Sequence, residues 1–256
     1  MIRSLFAASL VLCFFVSCKK TDTTQQPNFN ACLPDSIIES GGKAYHAVYQ
    51  DQKMIKCVSS LDSIQYYYNV QGKVTASEKY VPWHPAFDKR YEFNYDPSGN
   101  LLEERLYAYN SALNQVILTE RADYFYINGK ISGIIDSSPN AIDYIRYQWQ
   151  GDNITVETDS IPGVITETTQ FFYDTNHENT LVTRIPQFYL LLPDWVPDAF
   201  PVYLSRNPVI KMINSSPGNP AIEYDYTCTY TSGGRLKSCI TPTSISYRFY
   251  YSCDNP

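Results

Sequence analysis

Asp194, Trp195 and Asp198 are the residues of this 256-residue chain whose types and spacing best suit chemistry on a ligand. An indole offers a flat apolar face to a sugar ring, and carboxylates beside it accept hydrogen bonds from hydroxyls. Tyr189 lies in the same stretch, and Trp83, within Pro82-Trp83-His84-Pro85-Ala86-Phe87, is a second aromatic of that kind. These five residues are the candidate ligand contacts. A structural reading competes with them: aspartates beside prolines cap turns, and the stretch from Pro186 to Pro201 also holds Phe188, Leu190, Leu191, Leu192 and Phe200, which suits a plug over the end of a sheet. Signatures of catalysis are missing, with no G-x-S-x-G elbow, H-E-x-x-H, P-loop or dinucleotide fingerprint. Paired carboxylates need only proximity in space, and no pair among the 26 acidic residues stands out by sequence. We therefore expect no catalytic residue and no cofactor. A hydrolase is the weakest alternative, one that a buried carboxyl pair with displaced pKa values would revive. His46, His84 and His177 are far apart and no cysteine pair has C-x-x-C spacing, so no metal site is expected.

Cys18 carries a different chemistry. An apolar run from Leu5 to Val16 follows Arg3, too short for a permanent membrane span, and ends in Ser17 and Cys18. Phe15-Val16-Ser17-Cys18 resembles the lipobox of bacterial lipoproteins, which implies that residues 1–17 are a signal peptide, that Cys18 is lipidated, and that the rest works outside the cytoplasm. Residues 18–30 are rich in Thr and Gln without apolar periodicity, and read as a flexible tether. Attached acyl chains would hold the domain of residues 31–256 on a membrane without a transmembrane helix. In such lipoproteins an acidic stretch after the cysteine marks export to the surface. Here Lys19-Lys20-Thr21-Asp22 follows, favouring the periplasmic side of the outer membrane.

The formal net charge of −6 becomes more negative by one when Arg3 is removed. No basic cluster offers a footprint for nucleic acid. Five cysteines remain beyond Cys13 and Cys18, namely Cys32, Cys57, Cys228, Cys239 and Cys253, an odd number that leaves at least one without a partner in its own chain. Counting outward from the turn at Gly234 sets Cys228 opposite Ser238 and turns Cys239 to the other face, so no bridge between those two is expected.

Positioning falls to a repeat built on the 23 tyrosines. Tyr68-Asn69-Val70-Gln71-Gly72-Lys73-Val74, Tyr95-Asp96-Pro97-Ser98-Gly99-Asn100-Leu101 and Tyr230-Thr231-Ser232-Gly233-Gly234-Arg235-Leu236 place glycine fourth after an aromatic residue and an aliphatic residue two further on. A three-residue hairpin loop needs a left-handed residue at that glycine. Tyr126-Ile127-Asn128-Gly129-Lys130-Ile131 is the two-residue version, and Trp149 to Ile154 around Gly151 is another. Alternation in Tyr91, Phe93, Tyr95 and in Ile222, Tyr224, Tyr226, Cys228, Tyr230 gives strands with one apolar and one wet face. The pattern predicts about six hairpins, with turns near 70, 98, 128, 151, 177 and 233, in an antiparallel meander. The turn from Tyr173 to Leu181 lacks glycine and is longer, which leaves its register open.

These hairpin units, the lipobox and the run Leu204-Ser205-Arg206-Asn207-Pro208-Val209-Ile210 resemble Bacteroidota-type lipoproteins of unknown function with a porin-like, strongly curved β-sheet. The resemblance covers roughly Cys57 onward and implies fold and compartment, without a chemistry. The expectation is an all-β, strongly curved sheet or partly open barrel with a proline-rich apolar insertion. It should bind a glycan, peptide or lipid in the cell envelope, or alternatively act as an assembly module for another envelope protein. A membrane-spanning barrel fits less well, because the outward strand positions lack clean apolar bands.

Overall fold

The computed structural model describes residues 33–38, 43–51, 53–179, 204–232, 234–240 and 247–251. Every element described is a strand. The first nine are β1 (Ser36–Ile38), β2 (Ala44–Gln50), β3 (Lys53–Val58), β4 (Ser63–Tyr68), β5 (Val74–Tyr80), β6 (Lys89–Tyr95), β7 (Leu101–Asn110), β8 (Gln115–Ile127) and β9 (Lys130–Ser138). They are followed by β10 (Ala141–Gln150), β11 (Asn153–Ile161), β12 (Val164–Tyr173), β13 (Val209–Ser215), β14 (Ile222–Asp225), β15 (Thr227–Tyr230), β16 (Leu236–Ile240) and β17 (Tyr247–Tyr250).

Successive strands pair antiparallel from β1 to β14. On its other edge β1 pairs with β17, which pairs with β16, which pairs with β15. The ladder thus ends at β14 and β15, two consecutive strands that meet at Tyr226. A sheet whose ends are neighbours in the chain must curl through a full turn. Among the described residues no ladder joins β14 to β15, so the circuit is not closed into a barrel. The expected curved meander is present, and the single strand anticipated over 222–230 is broken at Tyr226.

The tyrosine repeat explains the curl. Tyr68 pairs with Val74, Tyr95 with Leu101, Tyr126 with Ile131, Trp149 with Ile154 and Tyr230 with Leu236. In every case the next residue of the second strand is skipped by the register, giving bulges at Thr75, Leu102, Ser132, Thr155 and Lys237. Each bulge bends its strand and adds right-handed twist, and one per hairpin at the same level bends the whole sheet. The aromatic then reaches back across the sheet to the preceding hairpin. The Tyr68 hydroxyl donates to the Met54 carbonyl at 2.6 Å, that of Tyr95 to Val74 at 2.5 Å, the Trp149 indole to Ile131 at 2.7 Å and the Tyr251 hydroxyl to Leu236 at 3.0 Å. Tyr173 does the same to Ile154. Each accepting carbonyl belongs to the aliphatic residue just before a bulge, where the ladder is interrupted and a buried polar group needs a donor. Phenylalanine would fill the space and leave that carbonyl short. The aliphatic residues Met54, Val74, Leu101, Ile131, Ile154, Val209 and Leu236 are all buried and belong to one core inside the curl.

The turns take the expected forms. In the three-residue loops the N–H groups of Gly72, Gly99 and Gly234 bond back to Asn69, Asp96 and Thr231, and each glycine has positive φ. Asn128 and Gly129 both have positive φ, the signature of a type I′ turn. Three expectations need correction. The hairpin of β2 and β3 repeats the pattern, Tyr49 against Met54, without glycine, because Asp51 takes the left-handed conformation at φ 49°. The turn near 177 is no tight hairpin: Tyr173 pairs with Val209, not Leu181, and the described residues 174–179 and 204–208 lie outside the strands. Finally, the bulge at Lys237 shifts the register by one, so that Cys228 lies directly opposite Cys239 and Thr229 opposite Ser238. Cys228 is disulfide-bonded, whereas Cys57 is a buried free thiol.

Candidate functional site

The hairpin turns near 51, 70, 98, 128, 151 and 233 gather at one end of the curl, together with the point where the chain enters at Pro34, whose carbonyl accepts from the Tyr49 hydroxyl at 2.8 Å. Connections of the other set, among them 59–62, 81–88, 111–114, 139–140, 162–163 and 216–221, form the opposite, far end. Of the candidate ligand contacts, Tyr189, Asp194, Trp195 and Asp198 lie outside the described residues, as does Cys18. Trp83 is on the far end and 68% exposed, away from the turn end where the insertion leaves β12. Gly72, Gly99, Gly129, Gly151 and Gly234 are turn residues, as expected.

A groove of about 620 Å³ opens in the mouth at the turn end. Its floor is Leu101 and Ile131 from the core, its walls Tyr126 and Trp149, and its rim Lys73, Lys130, Asp152, Glu178 and Arg206. The repeat positions the cations. The residue before each aliphatic stands over the next turn, so that Lys130 lies 5.1 Å from the centre of the Trp149 ring, donates to the Gly151 carbonyl, and is 3.0 Å from Asp152 Oδ1. Lys53 sits likewise over Tyr68 at 5.5 Å and Arg235 over Tyr251 at 6.0 Å. A Cβ on Gly99 would come within 3.3 Å of Lys73 Cε, so this glycine makes room for the cation as well as the turn.

Residues 204–207 clip the mouth. Ser205 is fully buried, accepting from the Ile154 N–H at 3.1 Å and bonded to the Tyr173 hydroxyl at 2.9 Å. The Asn207 N–H donates to Asn153 Oδ1 at 3.0 Å, and its amide to the His177 carbonyl at 2.6 Å. Arg206 then points across the groove to Glu178 at 2.5 Å. The Leu-Ser-Arg-Asn-Pro run thus has a structural reason: it brackets the turn at 151–152 and carries one charged wall of the groove. Trp83, the one candidate among the described residues, does not line this groove, whose lining comes from turns scattered over 130 positions; the lysine or arginine before Met54, Val74, Ile131 and Leu236 was the available signal.

A second cluster lies farther along the inner face. Phe93, Glu104, Ala122, Asp136 and Asp143 are direct partners across β6 to β10 and therefore share one face. Of these, Glu104, Ala122 and Asp136 line a cavity of about 50 Å³ together with Glu120, Arg121, Tyr91, Leu106, Tyr124, Ile134 and Ile145. The wet face expected from alternation is therefore incomplete as a description, because carboxyls also face inward. Burial pushes the Glu104 carboxyl up to about 7, with repulsion from Asp136 and Glu120 adding and the 2.8 Å hydrogen bond from the Tyr124 hydroxyl opposing. Burial and the charges of Glu120 and Asp143 raise Asp136 to about 6. This is a carboxyl pair of the kind a hydrolase would need, but the cavity has room for about one or two waters, far less than a sugar. Among the described residues no group of His, Cys, Asp and Glu is arranged to hold a metal ion.

No family profile matches the chain, and no curated protein matches it. Its fold is similar to that of solved Bacteroides structures. A porin-like protein from Bacteroides vulgatus is 11% identical with a TM-score of 0.57, the match covering 86% of this chain and 98% of that one. A porin-like protein from Bacteroides uniformis, 10% identical over 86% of this chain and 98% of the other, has a TM-score of 0.39. A DUF3836 family protein from Bacteroides vulgatus is 13% identical over 37% of this chain and 89% of its own, with a TM-score of 0.25. At 11% identity the likeness to the Bacteroides vulgatus porin-like protein is one of fold alone.

Proposed function

We propose that this chain is a non-catalytic binding module of the cell envelope, anchored through lipidated Cys18 on the periplasmic side of the outer membrane, and that it takes its ligand in the mouth of the curl. The observation that carries this reading is the groove of about 620 Å³, a volume suited to a small ligand, with core aliphatics below, Tyr126 and Trp149 beside it and charged groups of both signs on its rim. Flat aromatic faces with nearby donors and acceptors fit an oligosaccharide or a peptide-bearing cell-wall fragment.

The test is thermal unfolding of the mature chain carrying Cys18→Ser, against oligosaccharides and cell-wall muropeptides, with Lys73→Glu in parallel. A ligand at one hundred times its dissociation constant stabilises by about 2.7 kcal/mol. A shift in the wild type that disappears in Lys73→Glu supports the reading. Absence of any shift across the panel, or a shift untouched by the variant, counts against the mouth as the site.

A further inference from the structure

The far end has no part in the proposed ligand site and differs from the turn end in kind. Its four neighbouring hairpin connections over 109–119, 137–142, 160–166 and 214–222 contain no Asp, Glu, Lys or Arg; the far connections at 59–62 and 81–88 hold one acid each, Asp62 paired with Lys43 and Lys79 and Asp88 with His84. At the other end the turns carry Asp51, Lys73, Asp96, Lys130, Asp152 and Arg235. The uncharged tips are also apolar and open to solvent: Leu113 is 59% exposed, and Val116, Val164, Ile165 and Ile222 are exposed with it. Trp83 stands on the same end, its ring edge-on to His84, which in turn packs at 5.0 Å against Tyr109 of β7. Scattered exposed aliphatics need no explanation, but four neighbouring hairpin tips without one charge among them, beside a tryptophan-bearing loop, do.

We propose that this far end dips into a lipid surface. The tips are convex and separate, a shape that fits a deformable bilayer interface; a protein partner would have to supply a matching socket for each. Tryptophan and tyrosine beside aliphatic tips suit the boundary between headgroups and acyl chains. Chain length allows it. From Cys18 to residue 33 is 15 residues, at most about 50 Å when extended, and β8, the longest strand at 13 residues, spans about 43 Å. A leash attached at the turn end is therefore long enough for the far end to reach the bilayer that holds the anchor. Just behind the tips stand Glu120, Asp136, Asp143, Asp159, Glu167 and Glu223, which would be repelled by anionic headgroups. The surface is therefore zwitterionic, and contact with it is apolar, not electrostatic.

The experiment is flotation of the mature chain with Cys18→Ser, so that no acyl chain contributes, on phosphatidylcholine vesicles. Binding should persist at high salt and weaken as phosphatidylglycerol replaces phosphatidylcholine. Leu113→Asp and Val164→Asp should each weaken it about tenfold or more, each withdrawing an aliphatic tip worth upward of 1.4 kcal/mol. Ile127→Asp, at an equally exposed aliphatic on the turn end, should leave it unchanged. All three sites are exposed, so unchanged melting temperatures are expected. Failure to float, binding abolished by salt, or an equal effect of Ile127→Asp would overturn the proposal. So would a loss of self-association by Leu113→Asp without any change in flotation, which would make the far end a contact between copies of this chain.

Discussion

Replacing Glu104 by glutamine should make the protein more stable at alkaline pH and leave it unchanged in acid. The glutamine keeps the size of the side chain and an oxygen for the Tyr124 hydroxyl, and resembles the protonated acid in carrying no charge. In the folded chain this carboxyl ionises near pH 7, against 4.5 for the ordinary group, chiefly because it is buried. Between those two values the folded state keeps a proton that the unfolded state has lost, so this group's contribution to stability falls as pH rises through the window and is gone above about pH 7. A displacement from 4.5 to about 7 corresponds to about 3 kcal/mol at roughly 1.4 kcal/mol per pH unit. Denaturant unfolding of both proteins at a series of pH values gives the difference directly. Carboxylates held below their usual range, such as Asp62, Glu78 and Glu103, lower stability on the acid side in both proteins alike and cancel in that difference. The advantage of Glu104→Gln should be near zero at about pH 4 and grow to about 3 kcal/mol by about pH 8. A difference that stays constant across that range would show that Glu104 ionises normally and that the inner face is wetter than its burial implies.

Three further substitutions probe the scaffold. Gly133→Ala should cost about 2 to 3 kcal/mol by denaturant unfolding, because its Cβ would lie 2.8 Å from the Ile145 carbonyl oxygen, a backbone atom that cannot swing away; a neutral effect would mean that β9 and β10 separate easily. Tyr95→Phe removes only the donor to the Val74 carbonyl and should cost about 1 to 2 kcal/mol, with Tyr107→Phe as a control that lacks this latch and should change stability less. Ser205→Ala leaves the Ile154 N–H without its partner in a fully buried position and should cost about 2 kcal/mol, read as a lower melting temperature.

The hairpins were legible in sequence because their turns need glycine at a set distance from an aromatic residue, a demand of backbone geometry that no distant contact can relax. Where Asp51 meets the same demand without glycine, the hairpin of β2 and β3 escaped notice. The bulges were not legible, since nothing in Thr75, Leu102 or Lys237 marks a residue that the register skips. That one omission produced the wrong register for Cys228 and Cys239, because a single extra residue shifts every later position to the opposite face. The carboxyl row was hidden for the same reason: Glu104, Asp136 and Asp143 become neighbours only once the registers of β7 to β10 are known. The groove depends on residues 204–207 returning to bracket the turn at 151–152, a contact across some fifty positions that no local pattern carries.

The repeat also divides the molecule into an end that is constrained and an end that is free. Pairing of each aromatic with the next aliphatic, and its bond to the previous hairpin's carbonyl, aligns all the hairpins at the turn end. Differences in strand length, seven residues in β5, ten in β7 and thirteen in β8, must then appear at the far end. Nothing in the latch dictates what those far connections contain. Left to solvent alone, protruding loops with no structural duty would be expected to carry charges, as the turns at the constrained end do despite their duties. The far end instead carries Trp83 and exposed aliphatics, and its four neighbouring hairpin tips at 109–119, 137–142, 160–166 and 214–222 carry no charge at all. The fold does not require that composition, and the proposed contact with a lipid surface would account for it.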